Sequence, residues 1–356
     1  MVNSLKSLLS EEIINTGRQQ ELDIAKGLAI IFMIWQHVLG LFETNCWWYF
    51  EDIGQTLLSG PFAAPVFMFA MGMGMVFSHR NSAKDWLLRG LDLYLIGFVL
   101  NLFRWVIPEA IRAGISGTAF DTTVLYLLLQ VDILEFAGLA FAFMGLMKML
   151  KVPAKVVIII TVLCSLMGNI PMLHFNSPVL ADLVGLFVPT NGETTFPFTV
   201  WIVFVVAGYY FGKLYQRIGD KRAFFRIVTP VSLLLTLPYI GWSFYWLRGM
   251  FRDEYSFFFM NSFQAAVILV LIPGWLGTLY FLFDNHHGII VRFLCDLSKN
   301  INSVYVLQWT IIGFVSTLCP FVLNRITEII GVLAILFAAY AGSVIWVKYL
   351  KPIITK

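Results

Sequence analysis

The apolar residues of this chain fall into blocks of about 20, separated by short polar stretches rich in Gly, Pro and charged residues. A helix of that length crosses roughly 30 Å of hydrocarbon. The strands of a membrane barrel alternate between apolar and polar positions, but runs such as residues 156–167 and 267–283 do not. The pattern therefore predicts an all-α, polytopic membrane helix bundle.

Breaks at Gly, Pro and charge clusters divide the chain into about ten predicted transmembrane spans. The spans cover residues 23–42, 60–78, 86–106, 127–147, 155–173, 197–215, 226–246, 263–284, 300–319 and 329–349. The first block starts too late and runs too long for a secretory signal peptide, so we expect a retained first helix. We predict an N-terminal segment over 1–22, one transmembrane domain over 23–350 and a short tail over 351–356.

The positive charges predict which side of the membrane each loop faces. With the termini and the even-numbered loops on one side, nineteen of the 24 Lys and Arg residues fall there and five fall on the other side. Positive residues mark the cytoplasmic side of a membrane protein. Both termini are therefore expected in the cytoplasm, and a chain of this kind is expected in the inner, or cytoplasmic, membrane.

Composition narrows the functional classes. Only 13% of the residues are charged, against about 25% in soluble domains, and 59% are hydrophobic. No GxxxxGK[ST] or GxGxxG motif occurs, which argues against an ATP-driven pump or a nucleotide-binding domain. The four Cys and five His residues lack metal-ligand spacing, so neither a metal cofactor nor a nucleic-acid partner is expected.

Lys26 and His37 lie on one face of the first predicted helix. Eleven residues at 100° each return to within about 20° of the starting direction, and at 1.5 Å per residue the two are about 16 Å apart along the axis. Lys26 and the neighbouring Asp23 are close enough to the inner surface to snorkel, whereas His37 is deep in the outer half. An imidazole can exchange a proton near neutral pH, so His37 is a candidate catalytic group, although a hydrogen-bonded structural histidine fits the pattern too.

Other ionisable residues fall at similar depths. Asp132 and Glu135 are level with His37 on the fourth span, where either can orient the imidazole or serve in packing. Arg89 and Asp92 share a face of the third span, as an intrahelical ion pair or with Arg89 as a phosphate ligand. Charged residues inside spans cost at least about 2.5 kcal/mol at the helix centre, so each is a functional candidate.

Three uncharged polar residues recur on the ninth span. Asn302, Tyr305 and Gln308 are each three residues apart, so they share one face of the helix. Hydrogen bonding between helices explains such a stripe, and a polar wall of a reaction cavity explains it equally well.

Four stretches of the chain resemble the acyltransferase-3 superfamily of membrane acyltransferases. They are RQQELDIAKGLAIIFMIWQH (18–37), PVFMFAMG (65–72), VDILEFAG (131–138) and LSKNINSVYVLQ (297–308). The first is similar to the family pattern in which Arg or Lys and the His that activity requires are separated by ten residues. The chain departs from many members in having Lys26 for Arg and Gln308 for His. Its methionine-rich second span is also similar to the heparan-α-glucosaminide N-acetyltransferase-like branch, so O- or N-acylation stays open.

The resemblance implies transfer of an acyl group, with acetyl expected, from cytoplasmic acyl-CoA to a hydroxyl or amine of a saccharide or glycolipid at the outer face. It implies His37 as general base or transient acyl carrier, with Asp132 or Glu135 orienting the ring. The donor phosphates would be bound by four cations, Lys26, Arg80, Lys84 and Arg89. The substrate cavity would be lined by Asp23, Asn302, Tyr305 and Gln308. The acceptor and the oligomeric state stay open.

Two functions of other classes fit the same pattern. A transporter or flippase of a glycolipid would also line a cavity with polar residues, and an assembly subunit of an envelope complex would also be polytopic. Binding of acyl-CoA and release of CoA distinguish the enzyme from both.

Overall fold

The chain is described here from a computed structural model that covers residues 8–42, 57–246, 248–249, 254–284, 286–319 and 322–350. Helix accounts for 78% of the structure. The described ranges contain isolated β-bridges but no β-strand. The prediction of an all-α bundle is confirmed.

The helices are numbered in chain order. They are α1 (Gln20–Leu41), α2 (Ala64–Phe77), α3 (Ala83–Asn101), α4 (Ile107–Ser116), α5 (Ile133–Met149), α6 (Ala154–Ser165), α7 (Pro178–Gly185), α8 (Phe198–Tyr215), α9 (Lys221–Tyr245), α10 (Glu254–Phe258), α11 (Ser262–Phe283), α12 (Ile289–Lys299), α13 (Ile301–Leu318) and α14 (Arg325–Ile345). A π-helical turn, Leu102–Val106, joins α3 to α4, and a second, Trp346–Leu350, follows α14. Short 3-10 helices cover Thr122–Leu129 and Leu166–Asn169.

Within the described ranges, eight helical stretches are long and apolar enough to cross a membrane. Each of the ten predicted spans contains a helix, and the two that fall short of this length are α5, with 17 residues, and the stretch Ala154–Asn169. The protein is therefore a multi-pass membrane protein. Its orientation stays a prediction.

The third and fourth spans differ from the predicted bounds. The third runs without a break over Ala83–Ser116, because the π-helical turn carries α3 into α4, and it ends at Gly117 with a left-handed φ of 64°. The fourth begins later than predicted because Asp132 caps α5 in a capping box with Glu135. Such a cap typically contributes about 1 kcal/mol to a helix start.

Helices α3 and α5 pack so closely that glycines face each other. A Cβ on Gly90 would clash with the carbonyl oxygen of Gly138, and a Cβ on Gly138 would clash with that of Gly90. Small residues allow two membrane helices this approach. The contact fixes the start of α5, and with it Asp132, against the third span.

The polar N-terminal segment packs across the turn between α8 and α9. Leu9 forms a β-bridge with Ile218. The side-chain amide of Asn15 donates to the carbonyl oxygens of Tyr215, at 3.1 Å, and Ile218, at 2.6 Å. We call this side of the molecule, where α1 begins, the N-terminal end of the bundle.

Candidate functional site

A cavity of about 600 Å³ opens between α1, α2, α3, α5 and α13. Polar side chains line the part near the N-terminal end of the bundle, and apolar ones line the rest. The polar group comprises Lys26, Ser78, Arg80, Asp85, Arg89 and Asp92. The apolar group includes Met33, Phe67, Met68, Met71, Met75, Leu134 and Phe141. The polar end, which we call the mouth, thus carries three cations and two carboxylates, and the rest of the cavity is mostly apolar.

Three of the four cations predicted to bind the donor line this mouth. They are Lys26, Arg80 and Arg89, whereas the side chain of Lys84 is exposed and does not line the cavity. In the described part of the chain, no ion pair within 4.0 Å joins Arg89 to Asp92. The structure thus removes the intrahelical salt bridge considered for Arg89 and leaves its guanidinium at the cavity wall.

Asp23 lies behind the mouth and does not line the cavity. Its carboxylate accepts a hydrogen bond from the Arg18 guanidinium and one of 2.6 Å from the Ser298 hydroxyl, and it pairs with Lys26 at 3.2 Å. This carboxylate also raises the pKa of Arg18, which lies before the first span. Asp23, which was predicted to line the cavity, therefore positions Lys26 through an ion pair instead.

Tyr305 and Asn302 of α13 line the cavity, as predicted. Tyr305 is buried, and behind it lies His37, whose ring it contacts edge-on at 6.4 Å between centroids. His37 itself does not line the cavity. Tyr305 therefore lies between this cavity and the imidazole.

The imidazole of His37 is fixed by two neighbours on α13. Trp309 stacks on it with 3.9 Å between ring centroids and 29° between planes. Gln308 is fully buried, and its Oε1 lies 3.1 Å from His37 Nδ1. An amide oxygen only accepts, so in the neutral ring Nδ1 carries the proton and Nε2 keeps its lone pair.

In the described part of the chain, neither of the two predicted carboxylates, Asp132 and Glu135, hydrogen-bonds His37. Glu135 accepts from the backbone N–H of Asp132, at 3.1 Å, and from the Asn101 amide, at 3.3 Å. Asp132 caps α5 and pairs with Arg104 at 2.7 Å. The imidazole is therefore oriented by Gln308 and not by a carboxylate. Asp132 and Glu135 already accept hydrogen bonds from other groups around the start of α5.

Arg104 is the main residue that sequence reasoning missed. Arg104 is 1% exposed, and its guanidinium lies 4.5 Å from the Trp309 ring centroid. The signal was available, since Arg104 lies inside the predicted third span, where a cation is costly unless it has partners. The π-helical turn that turns it inward has no obvious sequence signature.

The fold and the site together define a multi-pass membrane protein in which a helix bundle holds a largely apolar cavity beside an imidazole. The chain belongs to the acyltransferase-3 family, whose model, described as an acyltransferase domain, matches residues 19–347. It is a membrane acyltransferase. Comparison with the curated proteins gives no match, and neither does comparison with the solved structures.

Proposed function

We propose that this acyltransferase uses acyl-CoA, with acetyl-CoA as the expected donor, and acylates a hydroxyl or amine of a saccharide or glycolipid at the outer face of the cell membrane. The observation that carries the proposal is the cavity: its cationic mouth lies at the N-terminal end of the bundle, and its buried wall, Tyr305, contacts His37. The charge distribution along the chain favours a cytoplasmic mouth.

The shape of the cavity suits a donor with an anionic head and a long flexible arm. Lys26, Arg80 and Arg89 would bind phosphate oxygens through charge-assisted hydrogen bonds. Met33 and Met68 line the wall further in, and methionine side chains adapt to an unbranched chain. Lys26 and His37 are about 16 Å apart along α1, so a donor bound at the mouth needs an arm of about that length.

The chemistry would use His37 first as a base and then as an acid. Tyr305 lies between the cavity and the imidazole, so its side chain would turn aside for the acyl end of the donor to reach His37. Nε2 then takes the proton of the acceptor hydroxyl as the hydroxyl oxygen bonds to the thioester carbon. The C–S bond then breaks, and the proton passes from the imidazolium to the departing thiolate, which leaves as the free thiol. Gln308 would hold the tautomer that these two steps require, because its Oε1 accepts a hydrogen bond from Nδ1–H and leaves Nε2 as the base.

The side-chain N–H₂ group of Gln308 could also take part in this step. In the described part of the chain its Nε2 has no hydrogen-bond partner, although the residue is fully buried. A donor left free beside a base can stabilise the oxyanion that forms during acyl transfer. The apolar cavity wall keeps water from the thioester and so limits its hydrolysis.

Inverted membrane vesicles supplied with radiolabelled acetyl-CoA test the proposal. Label should pass from acetyl-CoA into a saccharide-containing fraction, with release of one CoA thiol for each acetyl transferred. Vesicles that carry His37→Ala should bind the donor but transfer no label above background. Equal labelling by both proteins would contradict the proposal, as would a parent protein that moves a glycolipid without releasing CoA.

A further inference from the structure

Arg104 is a buried cation that the proposed chemistry does not use. It lies in the π-helical turn Leu102–Val106, and inserted turns of this kind are frequent at functional sites. Its side chain is 1% exposed. An arginine in such a place requires partners for its charge and its N–H groups.

The partners of Arg104 come from the segment that precedes α5. Nη1 donates to Asp132 at 2.7 Å, and Nη2 donates to the side-chain oxygen of Gln130 at 2.8 Å. The same Gln130 oxygen accepts from the Trp105 indole N–H at 2.8 Å. The plane of the guanidinium is therefore fixed at two of its three nitrogens.

That fixed plane lies against Trp309. The guanidinium carbon is 4.5 Å from the Trp309 ring centroid, and the indole N–H donates to the Tyr305 hydroxyl at 2.9 Å. Trp309 thus contacts a cation at its ring face and donates a hydrogen bond from its indole N–H. The imidazole of His37 stacks on this indole.

The backbones of the two elements are locked together as well. A Cβ on Gly313 of α13 would clash with the carbonyl oxygen of Arg104. Helix α13 therefore approaches the π-helical turn at van der Waals contact, which limits how far its backbone can move away from Arg104. Backbone packing and the side-chain contacts of Trp309 thus hold the two elements together.

We propose that Arg104 is a positioning residue for acyl transfer, which holds the indole of Trp309 against His37 so that Nε2 stays aimed at the reacting groups. The inference rests on the proposed function. It assigns Arg104 to the transfer step and not to donor binding, because Arg104 does not line the donor cavity. Misplacing a reacting group by about 1 Å is enough to slow a reaction about a hundredfold.

Arg104→Lys is the first variant to test. It keeps the charge for Asp132 but loses the planar fork that reaches Gln130 and stacks on the indole. We expect kcat to fall about tenfold to a hundredfold, with the donor KM changed less than about threefold. Arg112→Gln is the matched control, since Arg112 also pairs with a carboxylate, Glu109, but lies half-exposed on α4 away from the cavity. It should keep the parent kcat.

A double-mutant cycle with Trp309→Leu distinguishes positioning from general damage. If Arg104 acts through Trp309, the double variant Arg104→Lys/Trp309→Leu should be no slower than Trp309→Leu alone. Losses that multiply would overturn the inference, and so would a parental kcat in Arg104→Lys. If Arg104→Lys fails to fold, the charge-neutral pair Arg104→Gln/Asp132→Asn, which leaves no buried unpaired charge, takes its place in the same cycle and is judged by the same outcomes.

The failure of this inference is distinct from failure of the proposed function. An inactive parent, or a His37→Ala protein as fast as the parent, would contradict acyl transfer by His37 itself. An active parent with an inactive His37→Ala and a fully active Arg104→Lys would contradict only the positioning role.

Discussion

The mouth of the cavity and the surroundings of His37 differ in how firmly their polar groups are held. At the mouth, Arg89 and Arg80 form no ion pair within the described part of the chain, so their guanidinium groups are open to a ligand. Around His37, Gln308 and Arg104 are buried and bound to fixed partners. Of the three mouth cations, only Lys26 is paired among the residues that the structure describes, with Asp23. Unpaired cations suit the capture of a flexible anionic donor, and side chains held by several partners suit a proton transfer that tolerates little misalignment. The comparison predicts that changes at the mouth affect donor KM and changes around the imidazole affect kcat.

The largest effect is expected at His37 itself. Within the described ranges it is the one histidine inside a transmembrane helix, so no neighbouring imidazole can replace it. His37→Ala should lower transfer about 10²–10⁴-fold, the usual contribution of a general base. Asn should be nearly as damaging, because it keeps a hydrogen bond but takes up no proton near neutral pH.

The measurement is acyl transfer per mole of purified, monodisperse protein, with donor affinity determined separately. A structural histidine predicts a different outcome, in which Asn is tolerated and Ala lowers the amount of protein but not its turnover. If either variant keeps a third or more of the parent turnover, the assignment of His37 as the base is wrong.

Gln308 should give the next largest effect. Gln308→Met keeps the volume but removes both the acceptor for Nδ1–H and the free Nε2 donor, so we expect kcat to fall about a hundredfold with little change in donor KM. Thr310→Val on the same helix is the control, because the Thr310 hydroxyl donates only to the Val306 carbonyl oxygen and Val preserves its shape. A Gln308→Met protein with parental kcat would show that the tautomer of His37 is set in another way.

Much of the fold could be predicted from the sequence because hydrocarbon thickness fixes the length of a span. The blocks containing α1, α11 and α14 are long and apolar, and their boundaries are close to the predicted ones. The bounds that differ depend on local chemistry: a capping box at Asp132 starts α5 late, and a π-helical turn extends the third span. Neither feature changes the mean hydropathy of the segment, so neither can be predicted from the positions of the apolar blocks.

The site was predictable only where helical periodicity applies. Lys26 and His37 share α1, so their alignment follows from spacing alone. The contacts of Arg104 with Asp132 and Trp309 join residues that are 28 and 205 positions apart, and packing between helices decides them. The prediction that Asp132 orients the imidazole did not take into account that Arg104 competes for the same carboxylate. The roles of these residues in catalysis stay predictions.

Arg89 and Lys84 give a paired test of the mouth on a single helix. Both were predicted to bind the donor, but only Arg89 lines the cavity. Arg89→Gln should raise the donor KM about tenfold, since a charge-assisted contact to phosphate is lost, and should change kcat much less. Lys84→Gln should leave both parameters near those of the parent. Equal effects of the two substitutions would indicate general electrostatic attraction at the membrane surface and remove Arg89 from the site.

The smallest effect is expected at Asp23, because it does not line the proposed donor site and acts on it only through its ion pair with Lys26. Asp23→Asn keeps the size of the side chain and an acceptor for the Ser298 hydroxyl, but it removes the charge that pairs with Lys26 and Arg18. Lys26 should then sample more orientations, and we expect the donor KM to rise about twofold to threefold with kcat unchanged, the scale of a weak, partly exposed ion pair. The thermal midpoint of the purified protein should fall, since a buried anchor of α1 is weakened. Asn15→Ala, which loosens the N-terminal segment by removing its hydrogen bonds to Tyr215 and Ile218, is the control for lowered stability without any change at the cavity. If Asp23→Asn instead lowers kcat at an unchanged donor KM, Asp23 acts on the imidazole through α1. The proposed division, in which the mouth binds the donor and the residues around His37 orient the imidazole, would then be wrong.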